Sequence, residues 1–177
     1  MDPLINRMIR ASKLDIDLYE EVERDEGAIY QAFLVVVFSS LAAGIGSARF
    51  GHLNAIVLGT ILSIIGWLIW AYLTYFIGTR LLPEPQTEAD YGQLLRTIGF
   101  ASSPGIIRIL GLIPPIANLI FIIAGIWSLM AMVVAVRQAL DYKSTLRALI
   151  VCLIGWIVQG LFIGLLLYLF RLSPRIH

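Results

Sequence analysis

"GFASSPGIIRILGLIPPIANLIFIIAGIW" fills Gly99–Trp127. It is almost wholly apolar, yet it carries one arginine, Arg108, and three prolines, Pro104, Pro114 and Pro115. It could be one membrane span, two spans folded back on each other, or a re-entrant piece of a pore. The double proline decides. The residue before a proline is pushed out of the α region, so a helix ends there and Pro114–Pro115 makes a stiff turn. Proline in the first turn of the next helix costs little, because its missing N–H would be unpaired there anyway. A helix over 94–113 has about 20 residues and reaches about 30 Å, enough to cross a hydrocarbon core. A second helix over 116–136 crosses back. The stretch therefore reads as a tight hairpin of two spans, and the re-entrant reading is the weaker one because each half can span alone.

The arginine then lies near one end of its span, roughly 7 Å short of the turn. Near an end, its long stem can carry the charge to the interface. A central arginine would cost about 2.5–3.5 kcal/mol, and a terminal one much less. Asn118 lies a similar distance beyond the turn. Arg108 and Asn118 are thus expected as an intramembrane polar pair, the Asn118 carbonyl accepting from the guanidinium. The alternative is a contact between Arg108 and a lipid phosphate, a substrate anion or a partner. Pro104 is expected to kink its helix, with the freed carbonyl satisfied by Ser102, Ser103 or a neighbour.

The rest of the chain has the same character. Of 177 residues, 59% are hydrophobic and only 14% charged, with mean hydropathy +0.85. An average soluble domain carries about 25% charge, so a soluble globule is excluded. Further apolar runs span 28–46, 53–77 and 146–170. The expected fold is all-α, a polytopic integral membrane protein with five transmembrane helices over 28–170, preceded by an N-terminal arm (1–27) and followed by a short tail (171–177). No secretory signal peptide is expected, because the first apolar run follows more than two dozen mostly polar residues. Gly160 and Gly164 match the G-x-x-x-G helix-packing pattern.

The arm opens with an amphipathic pattern. Leu4, Ile5, Met8 and Ile9 share one helical face, opposite Arg7, Arg10 and Lys13. Such a helix commonly lies in the headgroup layer, so these three cations are candidate membrane-surface contacts. "DIDLYEEVERDEGA" then turns acidic, with Asp17 and Glu20 resembling a capping box. It reads as a solvated helix face or as a docking patch for a basic partner.

Lys and Arg set the orientation. With the N-terminus inside, the inner side holds Arg7, Arg10, Lys13, Arg24, Arg80, Arg96, Arg137, Lys143 and Arg147, and the outer side only Arg49, Arg171 and Arg175. The positive-inside rule therefore places the N-terminus in the cytoplasm and the C-terminus outside.

Catalytic chemistry is not legible. His52 and His177 have no partners at metal-ligand spacing. No carboxylate lies within a span, and no phosphate-loop, nucleophile-elbow or zinc-protease motif occurs. Ser39, Ser40 and Ser63 are expected to bond back onto their own helices. Gln159, near a midplane, is expected to hydrogen-bond between helices. Cys152 stands alone in an apolar run, so no internal disulfide is possible. No catalytic, cofactor-binding or metal-binding residue is assigned, and a net charge of +1 gives no preference for nucleic acid.

"LDIDLYEEVERDEGAIYQAFLVVVFSSLAAGIG", "YGQLLRTIGFASSPG" and "IWSLMAMVVAVRQAL" with "TLRAL" resemble, in the same order, the compact prokaryotic members of the Yip family of Ypt/Rab-interacting membrane proteins. The resemblance implies a five-span domain with a cytoplasmic N-terminus. Eukaryotic relatives are associated with prenylated Rab GTPases and assemble with one another. Their long N-terminal region has no counterpart here, so Rab binding does not carry over. The expected function is a non-enzymatic membrane scaffold or adaptor in a prokaryotic cytoplasmic (inner) membrane. It would act through helix–helix association and its interfacial arm, with membrane lipids and a membrane-protein partner or a second copy as partners. The alternatives are a small-molecule or lipid transport component and an accessory subunit of a larger complex.

Overall fold

A computed structural model describes residues 3–47 and 53–172, with side chains to 161. Gly164 and the tail from 173 lie outside the residues whose side chains are described. All regular structure among the described residues is helical. The elements are α1 (Pro3–Ser12), α2 (Ile16–Arg24), α3 (Ala28–Gly46), α4 (Leu53–Phe76), α5 (Tyr91–Ala101), α6 (Ala117–Ala139) and α7 (Thr145–Leu172). Three segments are long and apolar enough to cross a membrane as continuous helices: Ala28–Gly46, Leu53–Leu81 and Pro114–Ala139. Their outward faces are apolar, as in Val57, Leu58 and Ile61 of α4 and Ile122 and Ile126 of α6. These residues need a non-aqueous neighbour.

The third expected span is built differently from its sequence reading. It is not one α-helix over 94–113. Asp90 caps α5 with its side chain on the Gln93 N–H while Gln93 returns a bond to the Asp90 N–H, so the helix starts there. α5 stops at Ala101, and Ser103–Leu112 winds as a 3-10 helix. Pro104 is the local cause. It has no N–H for the Phe100 carbonyl, and the Ser103 hydroxyl donates to that carbonyl instead, at 2.7 Å. The two pieces still act as one rod parallel to α3. Gly99 lies against Ala32, Gly105 against Ser39, and the Arg108 carbonyl against Gly46. Pro114–Ile116 then turns the chain into α6.

α4 ends in a π-wound turn, Ile77–Leu81. The Tyr142 hydroxyl reaches both the Gly78 and Leu82 carbonyls, at 3.0 and 2.6 Å. This ties the end of α4 to the loop before α7. Gln86 donates to the Asp141 carbonyl, and Arg147 to that of Pro83. Both internal polar loops therefore meet at one end of the bundle, beside α2.

The arm is part of the fold. Leu14 adopts a left-handed conformation (φ 62°), turning the chain between α1 and α2. Asp15 then caps α2, accepting from the Asp17 and Leu18 N–H groups, so the cap lies two residues before the expected Asp17. Leu18, Tyr19 and Val22 are fully buried against the bundle. Trp127, about three helical turns from the end of α6, donates to the Ser12 carbonyl at 2.7 Å. The arm thus lies along the flank of the bundle.

Candidate functional site

Two polar assemblies interrupt the apolar bundle. The first holds the arm. Arg96 of α5 is 7% exposed. Its Nε donates to the Val22 carbonyl at 2.9 Å, and its Nη2 to the Glu23 carbonyl. These carbonyls belong to the last turn of α2, where helix carbonyls lack intrahelical donors and the dipole is negative. A buried cation on those atoms satisfies both needs. Gln138 of α6 adds a bond to Glu20 at 3.1 Å.

Arg7 contacts Glu21 and Asp25 within the arm and Gln31 of α3, and Arg10 contacts Asp15 and Glu21. Two of the three sequence-predicted surface cations, Arg7 and Arg10, are therefore turned toward the acidic α2, which folds back within reach. Lys13 is exposed. The hydrogen bonds from Arg10 and Arg7 hold the carboxyls of Asp15 and Asp25 below the usual carboxylate range. Glu23 behaves oppositely. Burial first, then the nearby charges of Asp141 and Glu20, push it up to about 7, against Arg24 and Arg96.

The second assembly surrounds Arg108. A 3-10 helix has three residues per turn, so residues three apart line up on one side. Gly105, Arg108 and Gly111 form such a line, and it faces α3. A Cβ on Gly46 would stand 1.8 Å from the Arg108 carbonyl oxygen, and one on Gly105 would stand 2.1 Å from Ser39 Oγ and 2.6 Å from Arg108 Nη1. Only glycine permits this approach.

Arg108 borders two open cavities. One, of about 310 Å³, lies among α3, α4, α6 and α7 and includes Ser39, Ser63, Trp67, Trp70 and Gln159. The other, of about 500 Å³, runs along α6 past Phe121, Ser128 and Leu129. Met132 and Trp156 border both. Ser40 and Ser63 bond back to Val37 and Gly59, as expected. Ser39 does not, and Gln159 makes no side-chain hydrogen bond among the described residues, so the expected interhelical bond is absent there. Ser128 Oγ is buried without a hydrogen-bond partner. The Trp67 and Trp70 indoles are engaged, by the Leu95 carbonyl and Met132 Sδ.

The expected Arg108–Asn118 pair is not joined. Asn118 is exposed in the first turn of α6, and Arg108 makes no hydrogen bond or ion pair among the described residues. The cause is the 3-10 winding, which aims Arg108 at α3. Among the helix-packing candidates, Pro104 is buried beside α3, while Gly160 has open space where a Cβ would stand. Sequence reasoning missed Arg96, Ser39 and Ser128 as site residues. The glycine–arginine–glycine spacing of three was the available signal for the Arg108 line. The described residues hold no group of His, Cys, Asp and Glu able to bind a metal.

A family model described as Yip1 domain matches residues 17–167. No curated protein matches the chain, and no solved structure does.

Proposed function

The chain belongs to the Yip1 domain family, and on that footing we propose that it is a non-enzymatic integral membrane scaffold of a prokaryotic cytoplasmic membrane. The observation that carries the reading is the clamp of Arg96 on the last turn of α2. It fixes α2 at the end of the bundle where both internal polar loops meet, while α1 runs along the flank, and so makes the arm a fixed platform. The platform is acidic: residues 1–27 hold eight carboxylates and four cations, and Arg7 and Arg10 are spent internally. Such a surface suits a basic segment of a membrane-protein partner or of a second copy. Three continuous apolar helices support the membrane role, and in this reading α7 and the α5 rod beside α3 complete five crossings. The cation count supports a cytoplasmic arm and an external C-terminus.

The test is crosslinking in cells from a photoreactive residue at exposed Asp17 or at Gly160 in the full chain. Adducts of protein mass from either position are expected. Lipid adducts alone, together with a monomeric mass in mild detergent, would overturn the scaffold. A cytoplasm-only reporter should be active at Gln86 and silent after His177. The second reading is a transport component, favoured by the two cavities that meet at Arg108. It predicts anion flux in proteoliposomes that is lost in Arg108→Gln.

A further inference from the structure

Arg108 carries its charge in the direction opposite to snorkelling. Its backbone carbonyl lies at Gly46, the last residue of α3, while its guanidinium lies beside Ser39. Ser39 is two turns, about 10 Å, back into the bundle. A snorkelling side chain would run outward to the nearer interface. An inward cation without a counter-charge is unfavourable in a low-dielectric bundle, and no carboxylate lines either cavity.

Unused donors converge on the same space. The guanidinium, the Ser39 hydroxyl and the Gln159 carboxamide face the first cavity. The second cavity is chiefly apolar, and it opens along α6, where Ile122 and Ile126 are 59% and 57% exposed. A donor-rich basin thus meets an apolar groove at one arginine. That is the shape of a ligand with an anionic head and an acyl chain.

We propose that the two cavities together bind one anionic phospholipid. Its phosphate oxygens accept from Arg108, Ser39 and Gln159, and an acyl chain lies along Phe121, Ile126 and Leu129. The planar guanidinium suits a phosphate by donating two parallel hydrogen bonds. A free phosphate would meet the same donors but leave the groove empty, and each buried methylene adds to the lipid's affinity.

The experiment uses the full chain, delipidated in a neutral detergent. Tryptophan emission is followed, because Trp67, Trp70 and Trp156 border the first cavity. The titrants are phosphatidylglycerol, phosphatidylcholine and sodium phosphate. A saturable response to phosphatidylglycerol is expected, weakened about tenfold in Arg108→Gln and about threefold in Ser39→Ala. Exposed Arg80→Gln should match the native chain. Unchanged affinity in Arg108→Gln overturns the site. An equal response to sodium phosphate overturns the lipid assignment in favour of a free anion, and equal binding of phosphatidylcholine overturns the requirement for net charge. If Arg108→Gln does not fold, Arg108→Lys decides: it keeps the charge and loses the planar fork, so several-fold weaker binding is expected and native affinity overturns the proposal. Crosslinking to partners tests the scaffold separately, and either result can fail without the other.

Discussion

Arg96 and Arg108 stand on one rod, and they are opposites. Arg96 is buried with its guanidinium committed to two backbone carbonyls. Arg108 is half-buried beside open space, with no partner among the described residues. The first charge closes a structural joint, and the second is left for something that arrives. Sequence position sets Arg108 deeper in the apolar run but does not tell where either side chain is aimed. The helix type does, because α winding carries Arg96 toward the arm and 3-10 winding carries Arg108 toward α3.

The comparison can be broken most severely at Arg96. Arg96→Leu leaves two buried carbonyls without donors. Hydrogen bonds to charged groups contribute about 1.5–3 kcal/mol each, so detergent stability should fall by about 3 kcal/mol. Trypsin should then cut at Arg24 much faster, as the arm leaves the bundle. Unchanged cleavage would mean that Arg96 is not the anchor.

Gly46→Ala attacks only the Arg108 half. Its Cβ would collide with the Arg108 carbonyl oxygen, and overpacking of this kind costs about 1–3 kcal/mol. Thermal unfolding should shift down while arm cleavage at Arg24 stays native. Equal losses from both readouts would show that the two arginine regions are not separable.

Arg108 and Asn118 sharpen the contrast with a small number. Because the two are not joined, a double-mutant cycle of Arg108→Leu and Asn118→Ala should give a coupling below about 0.5 kcal/mol in lipid-free detergent. A coupling above about 1 kcal/mol would restore the paired hairpin.

A further small effect is the pH response of the joint itself. Glu23 has a folded pKa of about 7, raised from 4.5. The folded state therefore binds the extra proton between these values, so the contribution is full below the unfolded value and fades as pH rises through 7. Glu23 is partly exposed, and after discounting for solvent screening the change is about 1 kcal/mol or less. Thermal unfolding in detergent should come at a slightly lower temperature at pH 8 than at pH 5.5, and Glu23→Gln should shrink the difference. The lowered carboxyls of Asp15 and Asp25 act in the other direction, losing their contribution as pH falls through the acid range.

Much of the fold was legible because apolar length is a direct physical demand of a bilayer. The run 28–46 became α3 with the same ends, and the prolines marked the turn into α6. The third span was misread because Pro104 was treated as a kink within an α-helix, whereas ten residues change winding after it. The α2 cap lies at Asp15, two residues before the expected Asp17, because Asp15 is the carboxylate that accepts from the Asp17 and Leu18 N–H groups. The sites were less legible still. Arg96 looked like one cation among nine on its side, since its value depends on a helix end that arrives from seventy residues away. Arg108 was singled out, but its direction depends on the winding that composition does not reveal.

The three-residue turn around Arg108 also imposes a reading frame on the rod. In Ser103–Leu112, one inserted residue advances every later side chain by about 120°. Arg108 would leave the line between Gly105 and Gly111, and a bulky neighbour would be driven against α3. Near Gly59 of α4, which has nothing near the position of a Cβ and lies ahead of the buried Trp67 and Trp70, the same insertion would turn the exposed apolar side chains before it, such as Val57 and Leu58, from one outward direction to another. Length variation in this architecture is thus forbidden in one short stretch and permissible in another, although both are apolar.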